Sequence, residues 1–213
     1  MGEAGALIDL NQIVEHFLDE AVRLCRDDGG KQDDEIIAAL NDRNQSTEAR
    51  RNEVLKWLGY YRTLQGLNQV DRDAAAGEIV EFADARVPVV GSLSEAEIVD
   101  RFTSLHDRCG QAVRPKMDKT PRDLTSLTSK ALWCCYPDAI PMYDSNARRA
   151  LGVLSRLMGL DRPADGTPYT RFVSVWLNLY RRVERTIDDD RLGGYCYKVR
   201  VFDRILWIIG EPD

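Results

Sequence analysis

Apolar side chains recur at three- and four-residue steps along this 213-residue chain, and no stretch alternates apolar with polar residues as a half-buried strand does. Spacing of that kind gathers apolar groups on one face of a helix, so the expected fold is all-α, a bundle of about eight to ten helices. Leu10, Ile13, Phe17, Ala21 and Leu24 mark a helix over 8–26, and Asp33 and Asp34 open another over 33–42 at an end that acids favour. Ser46 precedes a helix over 47–64 striped by Val54, Trp57, Leu58 and Tyr61, although Ala49 stands where a complete capping box needs an acid. A helix over 71–84 follows. Ser92, three residues before Glu95, is expected to open the next, with Ile98, Phe102 and Leu105 on its inner side.

Beyond Cys109-Gly110 the texture changes. Residues 113–123 carry Pro115, Pro121 and four basic side chains and read as a loop. A short helix near 122–127, a turn, and an apolar helix over 129–136 ended by Pro137 are expected next. An extended piece over 139–143 leads into Asp144-Ser145, a capping pair, and a helix carrying Ala147, Leu151, Leu154 and Met158 that Gly159 stops. Thr167-Pro168 opens a long helix with Phe172, Trp176, Leu179 and Val183 inward, and Gly193-Gly194 hinges into a last one buried through Phe202, Ile205, Leu206 and Ile209. The chain is expected to form one helical unit over 1–213, with possible lobes at 1–110 and 111–213.

Charge and cysteine usage narrow the partners. The net charge of −6 argues at first against nucleic acid, but residues 1–110 sum to −10, residues 111–160 to +4 and residues 161–213 to zero. The basic segment is therefore where a polyanion would dock. Five cysteines without a C-x-x-C spacing read as reduced thiols of a cytoplasmic protein, and no 18-residue apolar run or leader-like start is present, so no membrane partner is expected. There is no Gly-rich phosphate loop, and the only histidines, His16 and His106, sit in helices without a metal-binding spacing; neither cofactor nor metal is expected.

Within the basic segment, Lys130 falls in the first turn of the helix expected over 129–136, against an apolar wall that includes the core residues Trp133, Cys134 and Cys135. Desolvation and the positive helix end both disfavour an ammonium there, and a deprotonated lysine is a nucleophile. Asp144, fourteen residues on, can cap its helix and also accept a proton or stabilise a cationic sugar. Arg114, Lys116, Lys119 and Arg122 precede Lys130, and Arg148 and Arg149 follow Asp144, a set suited to phosphate contacts. Tyr143, Tyr195, Tyr197, Lys198 and Arg200 are candidates to line a pocket for an extruded base. Arg181, Arg182 and Arg185 read as the outer face of a long helix, and Asp188-Asp189-Asp190 as a solvated helix end.

Leu124-Thr-Ser-Leu-Thr-Ser-Lys130, followed by Ile140-Pro-Met-Tyr-Asp144, resembles the core of the helix-hairpin-helix DNA glycosylases, particularly the 8-oxoguanine branch. Over about 25 residues, the hairpin Leu-Pro-Gly-Val-Gly-Thr-Lys of that family aligns with residues 124–130, and its Val/Ile-Pro-x-Asp approach with residues 140–144. Both hairpin glycines are replaced, by Ser126 and Thr128, leaving hydroxyls of Ser126, Thr128 and Ser129 as the hairpin's phosphate donors. One extra residue separates proline from aspartate, and no β-rich N-terminal subdomain is visible, so the resemblance is to a minimal, divergent member with a degenerate hairpin.

That resemblance implies a monomeric glycosylase that flips a damaged or modified base from double-stranded DNA and excises it, with Lys130 as nucleophile and Asp144 as its partner carboxylate. An oxidised purine, or a hypermodified base of phage DNA, fits this chemistry, in repair or in defence. A non-catalytic helical module that binds DNA or protein is the alternative reading.

Overall fold

Local capping chemistry starts most of the helices. The computed structural model describes residues 9–87, 89, 92–113, 123–160 and 165–212. Among them the chain forms nine α-helices and no strand: α1 (Leu10–Leu24), α2 (Lys31–Asn41), α3 (Thr47–Tyr60), α4 (Gln69–Ala85), α5 (Glu95–Ala112), α6 (Thr125–Cys135), α7 (Ser145–Leu157), α8 (Pro168–Val183) and α9 (Lys198–Ile209). Side chains of Asp9, Ser46, Asn68, Ser94, Asp144 and Thr167 accept the orphan N–H groups of six first turns. The all-α expectation therefore holds. No helix of the described residues is long and apolar enough to cross a membrane.

Two expectations move at this level. The capping box that opens α5 is Ser94 with Glu97, not Ser92 with Glu95. Residues 122–136 contain no turn after 127: α6 runs unbroken from Thr125 to Cys135. With neither glycine nor proline over 124–130, nothing in the backbone interrupts a helix, so the expected hairpin turn at 127–129 is absent.

Contacts divide the chain into two units, one from Met1–Asp27 with Asp144–Asp213, the other from Asp28–Tyr143. This differs from a division at residue 110, which falls inside the second unit, within α5, a helix that packs on α4 and α6. In the first unit α9 packs on α1 and α7, and α8 packs on the same two helices. Its core holds Trp176, Phe202 and Tyr169, and the Trp176 indole donates to buried Asp203 at 2.7 Å. Burial, with the Asp203 charge second, pushes the Tyr169 hydroxyl well above its usual pKa. Arg181, Arg182 and Arg185 are exposed, as an outer helix face should be.

The second unit is organised around α6, which α2, α3, α4 and α5 all contact. Nine of its eleven residues are buried, Leu127 through Cys135. Trp133 lies parallel to Trp57 with ring centroids 6.0 Å apart, and the Trp57 indole donates to fully buried Asp33 at 2.9 Å. Arg50, 3% exposed, closes the ends of neighbouring helices by donating to the Ala39 and Leu40 carbonyls of α2 and pairing with Asp84 of α4. Trp133, Cys134 and Cys135 are core residues, as their sequence context implies.

Candidate functional site

Burying a polar side chain is costly unless it is hydrogen-bonded, and α6 carries a short polar face inside the core beside a Thr128 hydroxyl oxygen that has no hydrogen-bond partner. Ser126, Ser129 and Lys130 stand at i, i+3 and i+4, on one side of the helix. Ser126 is half-buried, Ser129 fully buried and Lys130 only 5% exposed. Against this face runs the segment over 140–143, which belongs to no helix or strand and whose Ile140, Met142 and Tyr143 side chains are buried. Buried backbone outside helices and sheets also needs hydrogen bonds.

The two needs meet at Tyr143. Its N–H donates to Ser129 Oγ at 3.0 Å, and its carbonyl accepts from Lys130 Nζ at 3.2 Å. Ser129 Oγ donates in turn to the Ser126 carbonyl at 3.1 Å, and Lys130 Nζ donates to Ser126 Oγ at 2.9 Å. Both backbone polar groups of Tyr143 are thus bonded to one face of α6. Asp144 is the next residue in the chain. In its own unit it caps α7, accepting from Asn146 N–H at 2.8 Å from an extended backbone.

Several sequence expectations change here. Lys130 is the sixth residue of α6, not a member of its first turn, so the positive helix end that fades within one turn does not act on it. Thr128 and Ser129 are fully buried and cannot meet a DNA phosphate in this structure; Ser126, half-buried, holds the Lys130 amine instead. Arg114, Lys116, Lys119 and Arg122 lie outside the described residues.

On α7, Arg148 and Arg149 are exposed, and the Arg149 guanidinium donates to the Gly210 carbonyl beyond α9. Of the aromatic and basic candidates, Tyr195 is buried and meets Tyr197 edge-on at 5.3 Å. Lys198 pairs with Asp189 at 3.0 Å, and Arg200 is 6% exposed, so the basic members of that set are engaged or enclosed. Tyr143 belongs to the other unit, where its side chain is buried.

Sequence reasoning did not single out an open cleft of ≈ 550 Å³ beside the C-terminal ends of α2, α4 and α6, whose lining includes Arg86, Ser92, Tyr136 and Asp138. Partial burial raises the Asp138 carboxyl above its usual value, and the Arg101 guanidinium lies 5.3 Å from the Tyr136 ring centre. These residues converge only through tertiary packing, and no motif spacing announces them. Among the described residues no group of three or more His, Cys, Asp or Glu side chains is placed to hold a metal ion. Compared with protein-family models, curated proteins and solved structures, the chain matches none.

Proposed function

We propose that the protein is a DNA N-glycosylase, monomeric and cytoplasmic, that excises a damaged or modified base from double-stranded DNA. Lys130 is the nucleophile and Asp144 the carboxylate that receives its proton and stabilises the cationic sugar. The observation that carries this reading is the position of the Lys130 amine, held 3.2 Å from the carbonyl of Tyr143, the residue before Asp144. A lysine at the end of the hairpin and an aspartate at the start of the next helix are the pairing that the resemblance to helix-hairpin-helix glycosylases implies; here the lysine stands within α6.

In the reaction, the neutral amine attacks the sugar C1′ and the glycosidic bond breaks, its electron pair leaving with the base, which takes up a proton. The sugar ring then opens to an imine between Lys130 and C1′. Water hydrolyses that imine to an abasic site, or elimination nicks the strand. The target base has to leave the stack first, because C1′ is not accessible to a protein side chain inside a duplex.

The test is incubation with duplex and genomic DNAs carrying different modified bases, scoring released bases by mass spectrometry and trapping the imine with borohydride. An adduct mapped to Lys130 is expected, with base release lost and DNA retention kept in Lys130→Ala and Asp144→Asn. A substrate that is cleaved without a trappable adduct removes Lys130 as nucleophile, and base release from none of these DNAs removes the glycosylase reading.

The burial of Lys130 in the middle of α6 favours a second reading, a non-catalytic helical module in which the amine serves only to fasten Tyr143. Under that reading the wild-type chain retains DNA or a protein partner but releases no base.

A further inference from the structure

Ser129 and Lys130 hold opposite ends of one peptide unit's worth of backbone, and they are not equivalent. The Tyr143 carbonyl rests on the Lys130 amine, whereas the Tyr143 N–H rests on Ser129 Oγ. An amine that attacks a sugar has to leave its acceptors, so during such a reaction the bond from Lys130 to this carbonyl is broken. The hydroxyl of Ser129 has no such duty. It is fully buried, and its own proton is committed to the Ser126 carbonyl within the same helix. That donation fixes the rotamer, which aims a lone pair at the Tyr143 N–H.

We propose that Ser129 is a positioning residue that keeps the Tyr143 peptide, and with it the point at which the chain continues into Asp144, in place when Lys130 swings away to react. The proposal rests on the glycosylase reading for its catalytic consequence, but the latch itself stands on geometry alone. Three features carry it. The N–H donor has no strand beside it, the acceptor is a side chain on a helix buried on nearly all sides, and the residue being held directly precedes the candidate carboxylate. Its role differs from the phosphate contact expected of a hairpin hydroxyl, since a fully buried oxygen reaches no DNA.

The two holds are separable by experiment. Amide hydrogen exchange of Tyr143, followed by NMR on the full chain, reads the Ser129 latch without reference to activity. Protection of that amide is expected in the wild type and in Lys130→Met, and loss of protection in Ser129→Ala, with Ser129→Thr restoring it. The Lys130→Met result is the sharper one, because a peptide held chiefly by the amine loses protection in that variant and the proposal is overturned.

On a DNA that the wild type cleaves, Ser129→Ala is expected to lower kcat by roughly ten- to a hundredfold with KM little changed, as a displaced reacting group does. Ser129→Thr recovers most of the loss. An unchanged kcat in Ser129→Ala, with wild-type cleavage intact, overturns the catalytic consequence. Absence of cleavage by the wild type instead overturns the glycosylase reading, and the exchange measurement still decides the latch.

Discussion

Arg50→Met is the substitution whose cost the structure defines most closely. The guanidinium, in a residue 3% exposed, donates from Nε to the Ala39 carbonyl at 3.1 Å and from Nη2 to the Leu40 carbonyl at 3.1 Å. It also donates to both carboxylate oxygens of Asp84, at 3.0 and 2.8 Å. Methionine fills much of the stem volume but leaves two carbonyls at the end of α2 without their partner. Each orphaned buried carbonyl costs about 1–1.5 kcal/mol. The Asp84 side chain is 43% exposed and regains water, so the ion pair is discounted to less than about 1 kcal/mol. The expected loss is therefore about 3 kcal/mol, or roughly 6–12 °C in Tm for a chain of this length. Urea unfolding followed by tryptophan fluorescence measures it, since Trp57 and Trp133 report on the same unit. Asp84→Asn is the control, because an amide oxygen still accepts from Arg50 and the carbonyl contacts remain; its expected cost is under about 1 kcal/mol. Equal losses in the two variants would refute the reasoning and assign the stability to the ion pair.

Other expectations follow from the same geometry. The Arg50 guanidinium holds the Asp84 carboxyl below its usual pKa, so its contribution is complete above the unfolded value near 3.8 and is lost as pH falls through the lower folded value; an acid titration of stability is expected to be shallower in Asp84→Asn. Burial pushes the Cys109 thiol up to about 12 and the Cys135 thiol to about 11, while Cys196 is exposed. Ellman's reagent on the native protein is therefore expected to react promptly at Cys196 and to reach the buried thiols only on unfolding. Gly210 has an ordinary φ of −94°, yet a Cβ there would stand 2.0 Å from the Asn146 carbonyl oxygen of α7. Gly210→Ala is thus expected to destabilise by about 3 kcal/mol or more, read by thermal unfolding, through a backbone clash rather than lost flexibility.

Local chemistry was the legible part of this fold. Asp144 and Thr167 start their helices as their residue types and the following Ser145 and Pro168 suggest, because a cap is decided within four residues. The start of α5 shows where such reading slips. Ser92 and Ser94 both precede a glutamate by three residues, and only the second choice puts Leu93 and Ile98 at the two staple positions; both are buried. The stripe of α1 slips similarly: Leu10, Val14, Leu18 and Ala21 go deepest, while Ile13 and Phe17 are half-buried. The division into units was not legible from charge, because the first unit takes its residues from both ends of the chain, and a running sum along the sequence mixes what folding separates.

At Lys130 the backbone differs from its sequence-based expectation. A turn is expected between a short helix near 122–127 and an apolar helix over 129–136, whereas Thr, Ser and Leu without glycine simply continue the helix. What the residues did announce is a mismatch: Ser126, Ser129 and Lys130 share one face of a helix whose other residues are Leu, Ala, Trp and Cys with Thr125 and Thr128. The buried Ser129 and Lys130 groups are hydrogen-bonded, whereas the buried Thr128 hydroxyl oxygen has no hydrogen-bond partner. The segment over 140–143 lies against this face, its side chains buried and the Tyr143 N–H and carbonyl bonded to Ser129 and Lys130. A buried polar helix face beside a segment outside helix and sheet therefore predicts side-chain bonds to that segment's backbone. Had the two been read together, Ser129 and Lys130 would have been assigned to Tyr143 before any question of DNA arose.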